Sequence, residues 1–128
     1  MIKILYIDDC LGDLGLLEVY FQSNPNVKLT TLNDTPHIEV CADYDGIILD
    51  QNLSNGKKGL DYAAKIANFY DNMIPVMLYL GGEDQESKDS KSVVDCVCDK
   101  NDFMNFGLEL NAFIRFNCFM NVPLRRRP

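Results

Sequence analysis

The chain has 128 residues, 47% of them hydrophobic and 24% charged, and its 19 acidic residues outnumber 12 basic ones to give a formal charge of -7. That size and composition describe one globular domain with a single core, and exclude a fibrous or disordered chain. The acidic balance also excludes a general nucleic-acid binder, which needs clustered Lys and Arg against phosphate.

The first predicted element is a strand over Ile2 to Ile7. This run is far too short for a membrane span or a signal sequence, so the expected location is cytoplasmic, without membrane contact. Asp8 and Asp9 follow it directly, and Asp13 reads as the N-cap of a first helix whose inner positions are Leu14, Leu17 and Phe21. A second strand is predicted over Val27 to Leu32, and the segment around Pro36 to Ala42 leaves room for about two helical turns. The third strand, Gly46 to Leu49, ends at Asp50; the helix after it carries Leu60, Ala63, Ala64, Ala67 and Tyr70 at helical spacing.

A fourth strand is predicted over Pro75 to Leu80. The next connection, Glu83 to Ser92, reads EDQESKDSKS and has no apolar stripe to fix a helix to a sheet. The fifth strand, Val93 to Cys98, runs to Lys100. The last segment, Asn101 to Asn121, places Phe103, Phe106, Leu110 and Phe113 on one stripe, with Leu108, Ala112, Phe116, Phe119 and Met120 spread around it. Most of this surface is expected in the core. The remainder, within residues 83–120, is expected to meet a second copy or an effector.

Five short, continuous apolar runs alternating with mixed segments are the pattern of strands buried on both faces and joined by right-handed crossovers. The fold class is therefore α/β, a doubly wound five-stranded parallel sheet. Five cysteines, an odd number with no secretory signal, read as reduced thiols; Cys96-Val97-Cys98 reads as packing rather than as a zinc site. His37, the single histidine, reads as a surface residue. Arg125 to Arg127 read as a solvated tail, and the domain is expected to span residues 1–122 with 123–128 as tail or linker.

Ligand sites in doubly wound folds lie beyond the carboxyl ends of the strands. Asp8, Asp9, Asp50 and Lys100 all stand at that end, though distant in sequence. Three carboxylates so close repel one another unless a cation intervenes, and Mg²⁺ is the expected one because it prefers hard oxygen ligands. An anionic nucleophile, a metal and a lysine together are what phosphoryl transfer to a carboxylate requires. Asp50, alone on the central strand, is the nucleophile candidate; Asp9 would bind metal directly, and Asp8 directly or through water.

The stretches ILYIDD (4–9), DGIILDQNL (45–53), IPV (74–76) and VVDCVCDK (93–100) resemble the receiver domain of two-component response regulators over nearly the whole chain. The resemblance implies a flavodoxin-like strand order 2-1-3-4-5 and transfer of a phosphoryl group from a histidine kinase or phosphotransfer protein onto Asp50. It also implies Mg²⁺ on Asp9, Asp50 and the backbone carbonyl of Asn52, with Lys100 on the phosphoryl group. Any catalysis would be self-directed: phosphotransfer to Asp50 and its later hydrolysis.

The chain departs from the family at both switch positions. Leu80 stands where a Thr or Ser hydroxyl is usual, with Gly81 after it, and Val97 stands in place of the usual aromatic. Losing one neutral hydrogen bond costs about 0.5–1.5 kcal/mol, enough to slow transfer or shorten phosphate lifetime. The alternative is a pseudo-receiver, a protein-interaction module that is not phosphorylated. A Mg²⁺-dependent phosphatase is disfavoured by the lack of a DxDxT-type motif and of a general base.

Overall fold

A computed structural model describes residues 1–80, 93–100 and 103–119. Five strands, β1 (Ile2–Ile7), β2 (Val27–Leu32), β3 (Gly46–Asp50), β4 (Val76–Leu80) and β5 (Cys96–Asp99), form one parallel sheet in the order β2-β1-β3-β4-β5. The expected fold class and strand order are both found. Every neighbouring pair is parallel, and the register sets Ile7 beside Leu49, Asp50 beside Tyr79 and Tyr79 beside Cys98.

Side chains alternate across a strand, so each run of apolar residues feeds two cores. On one face Ile4, Tyr6, Ile48, Met77, Tyr79 and Cys98 pack against helix α1 (Leu11–Gln22), through Leu14, Leu17 and Phe21, and against the C-terminal helical segment. That segment is α3 (Phe103–Ala112), which widens into a π-helix over Phe113–Phe119. On the other face Leu5, Ile7, Ile47, Leu49, Val76, Leu78 and Leu80 pack against helix α2 (Gly59–Phe69), through Tyr62, Ala63 and Ile66. The crossover between β2 and β3 is a short 3-10 helix, Ile38–Asp43, held down by buried Cys41 and by the Tyr70 hydroxyl donating to the Ile38 carbonyl at 2.7 Å.

Several expectations are corrected. Ala64 is exposed rather than inward, and Tyr62 and Ile66 fill the α2 face instead. The fifth strand begins at Cys96 because Asp95 turns its carboxylate onto the backbone N–H of Val76 at 2.8 Å. Asp13 is not an N-cap: three residues after β1 suffice to start α1, so Cys10 takes that position and Asp13 falls inside the first turn. Leu108 is exposed and Leu110 and Phe113 are buried. Gly81, the Glu83 to Ser92 segment and the side chains of Phe103, Phe106, Phe116 and Phe119 lie outside the described residues. His37 is exposed, as expected, and its Nδ1 accepts from the Glu39 N–H. All five cysteines are free thiols.

One glycine sets the distance of α2 from the pocket end of the sheet. A Cβ on Gly59 would stand 2.1 Å from the backbone oxygen of Asp50, while the Gly59 N–H donates to the Gln51 carbonyl at 2.8 Å. Backbone cannot yield as a flexible side chain does. Gly59→Ala is expected to lower stability by about 1–2 kcal/mol, overpacking exceeding the gain in helix propensity. Urea denaturation checks this; an unchanged midpoint would show that α2 docks more loosely than described.

Candidate functional site

Sheet register and alternation assemble the site. Tyr6 and Asp8 lie two residues apart at the end of β1, Ile48 and Asp50 at the end of β3, and Met77 and Tyr79 on β4, so their side chains leave the same face of the sheet. That face is the one covered by α1 and α3. Lys100 follows β5, and its backbone N–H donates to the Leu80 carbonyl at 2.7 Å, which fixes its root beside β4.

The Lys100 ammonium is the hub. Its Nζ donates to Asp8 Oδ2 at 2.8 Å, Asp13 Oδ2 at 2.9 Å and Asp50 Oδ1 at 3.0 Å, spending all three N–H groups on carboxylates. It also sits 5.3 Å above the centre of the Tyr79 ring, within range of a cation–π contact. The Tyr6 and Tyr79 rings meet edge to face, 5.9 Å apart. The three carboxylates hold the Lys100 pKa above its ordinary value, against the downward push of burial.

Asp8 is wholly buried and fully engaged. Its Oδ2 also accepts from the Tyr6 hydroxyl at 2.5 Å, and its Oδ1 caps the Cys10 N–H at 2.9 Å. Burial first, and then the Asp8 carboxylate, push the Tyr6 phenol far above its usual range, so Tyr6 stays a donor. Asp9 is exposed at the pocket mouth.

Asp50 is buried. Desolvation, with the neighbouring Asp8 charge, pushes its pKa up to about 6, although Lys100 pulls the other way. A carboxylate kept above its solution value is one whose ionised form is poorly compensated by its neighbours.

One oxygen each from Asp8, Asp9 and Asp50 lies within 4.8 Å of the others. Three hard anionic donors converging in this way fit a divalent cation such as Mg²⁺. Asn52 lies in the following loop, where it forms an antiparallel bridge with Lys58, whose Nζ donates to Asn52 Oδ1 at 2.6 Å.

The expected site residues Asp8, Asp9, Asp50 and Lys100 are thus brought together. Leu80 and Val97 are not part of that cluster: Leu80 is buried in the core of the opposite face, and Val97 is half-buried against the same group. Sequence reasoning missed Asp13, Tyr6 and Tyr79. Tyr6 carried a readable signal, since two residues before Asp8 on a strand is the same face.

No protein-family model matches the chain, and no curated protein does. Solved structures do match. A response regulator receiver domain protein from Clostridium thermocellum superposes with a TM-score of 0.71 at 16% identity, over 94% of this chain and 99% of that one. The response regulator TrrA from Thermotoga maritima, solved in complex with Mg(2+)-BeF, matches with a TM-score of 0.69 at 23% identity, over 88% of this chain and 96% of that one. The Mn(2+)-bound form of response regulator Rcp1 matches with a TM-score of 0.66 at 19% identity, over 92% and 95%. The chain has the fold of response regulator receiver domains.

Proposed function

We propose that the protein is a phosphoacceptor receiver domain, taking a phosphoryl group from a phosphohistidine of a histidine kinase or phosphotransfer protein onto Asp50. The observation that carries this reading is the Lys100 ammonium bonded to Asp50 beside the converging oxygens of Asp8, Asp9 and Asp50. In the transfer, an Asp50 carboxylate oxygen attacks phosphorus in line with the P–N bond. The new O–P bond forms as the P–N bond breaks, and the electron pair stays on the leaving imidazole nitrogen. Lys100 neutralises a phosphoryl oxygen. Asp8, Asp9, Asp50 and the Asn52 backbone carbonyl would hold Mg²⁺, which would supply further positive charge to the transfer.

Burial of Asp50 restricts access to the pocket mouth, which suits a donor delivered by a docking partner. Beside that mouth, α1 exposes Leu11, Leu16 and Val19, an apolar face fit for such a partner. Among the described residues, no helix is long and apolar enough to cross a membrane.

Incubation with Mg²⁺ and acetyl phosphate is expected to add one phosphoryl mass to the intact protein, and none to Asp50→Asn. No gain at millimolar donor would overturn the proposal. It would favour the second reading, a constitutive interaction module, for which Leu80 buried among apolar side chains is the supporting observation.

A further inference from the structure

We propose that Asp13 is a positioning residue that keeps hold of the Lys100 ammonium when a divalent cation displaces it from Asp8 and Asp50. This inference rests on the phosphoacceptor reading and assigns a role to a carboxylate that the phosphotransfer chemistry leaves unused. Lys100 divides its three N–H groups among Asp8, Asp13 and Asp50. Asp8 and Asp50, with Asp9, present the converging oxygens; Asp13 does not join that set. A cation bound there takes lone pairs that Lys100 now uses and repels the ammonium. Two of the three Lys100 partners are lost together.

Asp13 is the partner that remains. It projects from the first turn of α1, its side chain is 31% exposed against 0% for Asp8 and 7% for Asp50, and it therefore lies toward the pocket mouth. An ammonium held at Asp13 moves outward without leaving the site, toward the side from which a phosphoryl group arrives. Without Asp13 the freed side chain would regain rotamer entropy in water and would have to be ordered again for transfer. Four carboxylates against a single lysine thus have a division of labour: three oxygens converge on the cation and the fourth carboxylate retains the lysine.

The test is a double-mutant cycle read by Mg²⁺ affinity, using tyrosine fluorescence, since Tyr6 and Tyr79 flank the site and the chain has no Trp. If Asp13 acts through Lys100, the effect of Asp13→Asn on Mg²⁺ affinity differs about fivefold or more between the wild-type and Lys100→Met backgrounds. Equal losses in both backgrounds would mean that Asp13 acts on the cation directly, and would overturn the positioning role alone. No Mg²⁺ response in any of the four proteins would overturn the metal-dependent reading and the positioning role with it.

A second readout needs no lysine variant. The Lys100 ammonium signal in ¹H–¹⁵N spectra should persist in Mg²⁺-saturated wild type and vanish in Mg²⁺-saturated Asp13→Asn. Loss of that signal in the wild type itself would also overturn the role.

Discussion

Lys100→Met is expected to destabilise the metal-free protein by on the order of 3 kcal/mol, because it leaves two buried carboxylates without their cation. Asp8 has no exposed surface and Asp50 almost none, so water cannot replace the ammonium at either. For a domain of this size the loss corresponds to a fall in Tm of roughly 10 °C. The same variant should bind Mg²⁺ more tightly, since the ion no longer competes with a tethered ammonium, and saturating Mg²⁺ should recover most of the lost stability. Thermal unfolding with and without Mg²⁺ measures both effects. A Lys100→Met protein as stable as wild type in the absence of metal would mean that the three-way ion pair contributes nothing to the fold.

Asp50→Asn should act in the opposite direction. The Asp50 pKa is raised by burial and by Asp8 to about 6, above its ordinary 3.8. Between these values the folded chain binds more protons than the unfolded one, so stability falls as pH rises from about 4 through about 6. The stabilisation from a protonated Asp50 is fully present below the unfolded value and absent at neutral pH. Asn mimics the protonated form at every pH. The variant should therefore be more stable than wild type at pH 7, by on the order of 2 kcal/mol, and close to it at pH 4. Saturating Mg²⁺ should reverse the difference at pH 7, because the ionised carboxylate gains a ligand that the amide largely lacks. Urea titrations at the two pH values decide the matter; equal stability of the two proteins at pH 7 would show that Lys100 fully compensates Asp50.

These predictions depend on groups that the sequence made legible to different degrees. The three inner strands, β1, β3 and β4, could be read because a strand buried on both faces needs an apolar run, and few other elements of that length do. The pocket residues could be read because a parallel sheet directs the ends of all its strands to one side. Asp13 could not, since its partner is 87 residues away and only the completed sheet brings Lys100 over α1. Locally, a polar residue just before a helical stripe looks like a cap, and the start of α1 at Leu11 is fixed by how soon the chain must turn back onto the sheet.

Tyr79 was hidden for a similar reason. Its place beneath Lys100 depends on the β3–β4–β5 register, which a run of apolar residues does not encode. The inward face of α2 was misread at Ala64 because alanine carries little hydrophobic signal either way, whereas Tyr62 and Ile66 bury far more surface. Asp95 was passed over inside an apolar run, although a charged residue there needs a partner, and the Val76 N–H is that partner.

The bond from the Lys100 N–H to the Leu80 carbonyl has a meaning for how such a domain can be altered. Position 80 fixes the lysine through its main chain, whatever side chain it carries, so the residue there can be exchanged without dismantling the pocket. The pocket and the side chain at position 80 are in that sense separable: the place of the lysine is written into sheet geometry, and the side chain beside it is a choice that a designer could change.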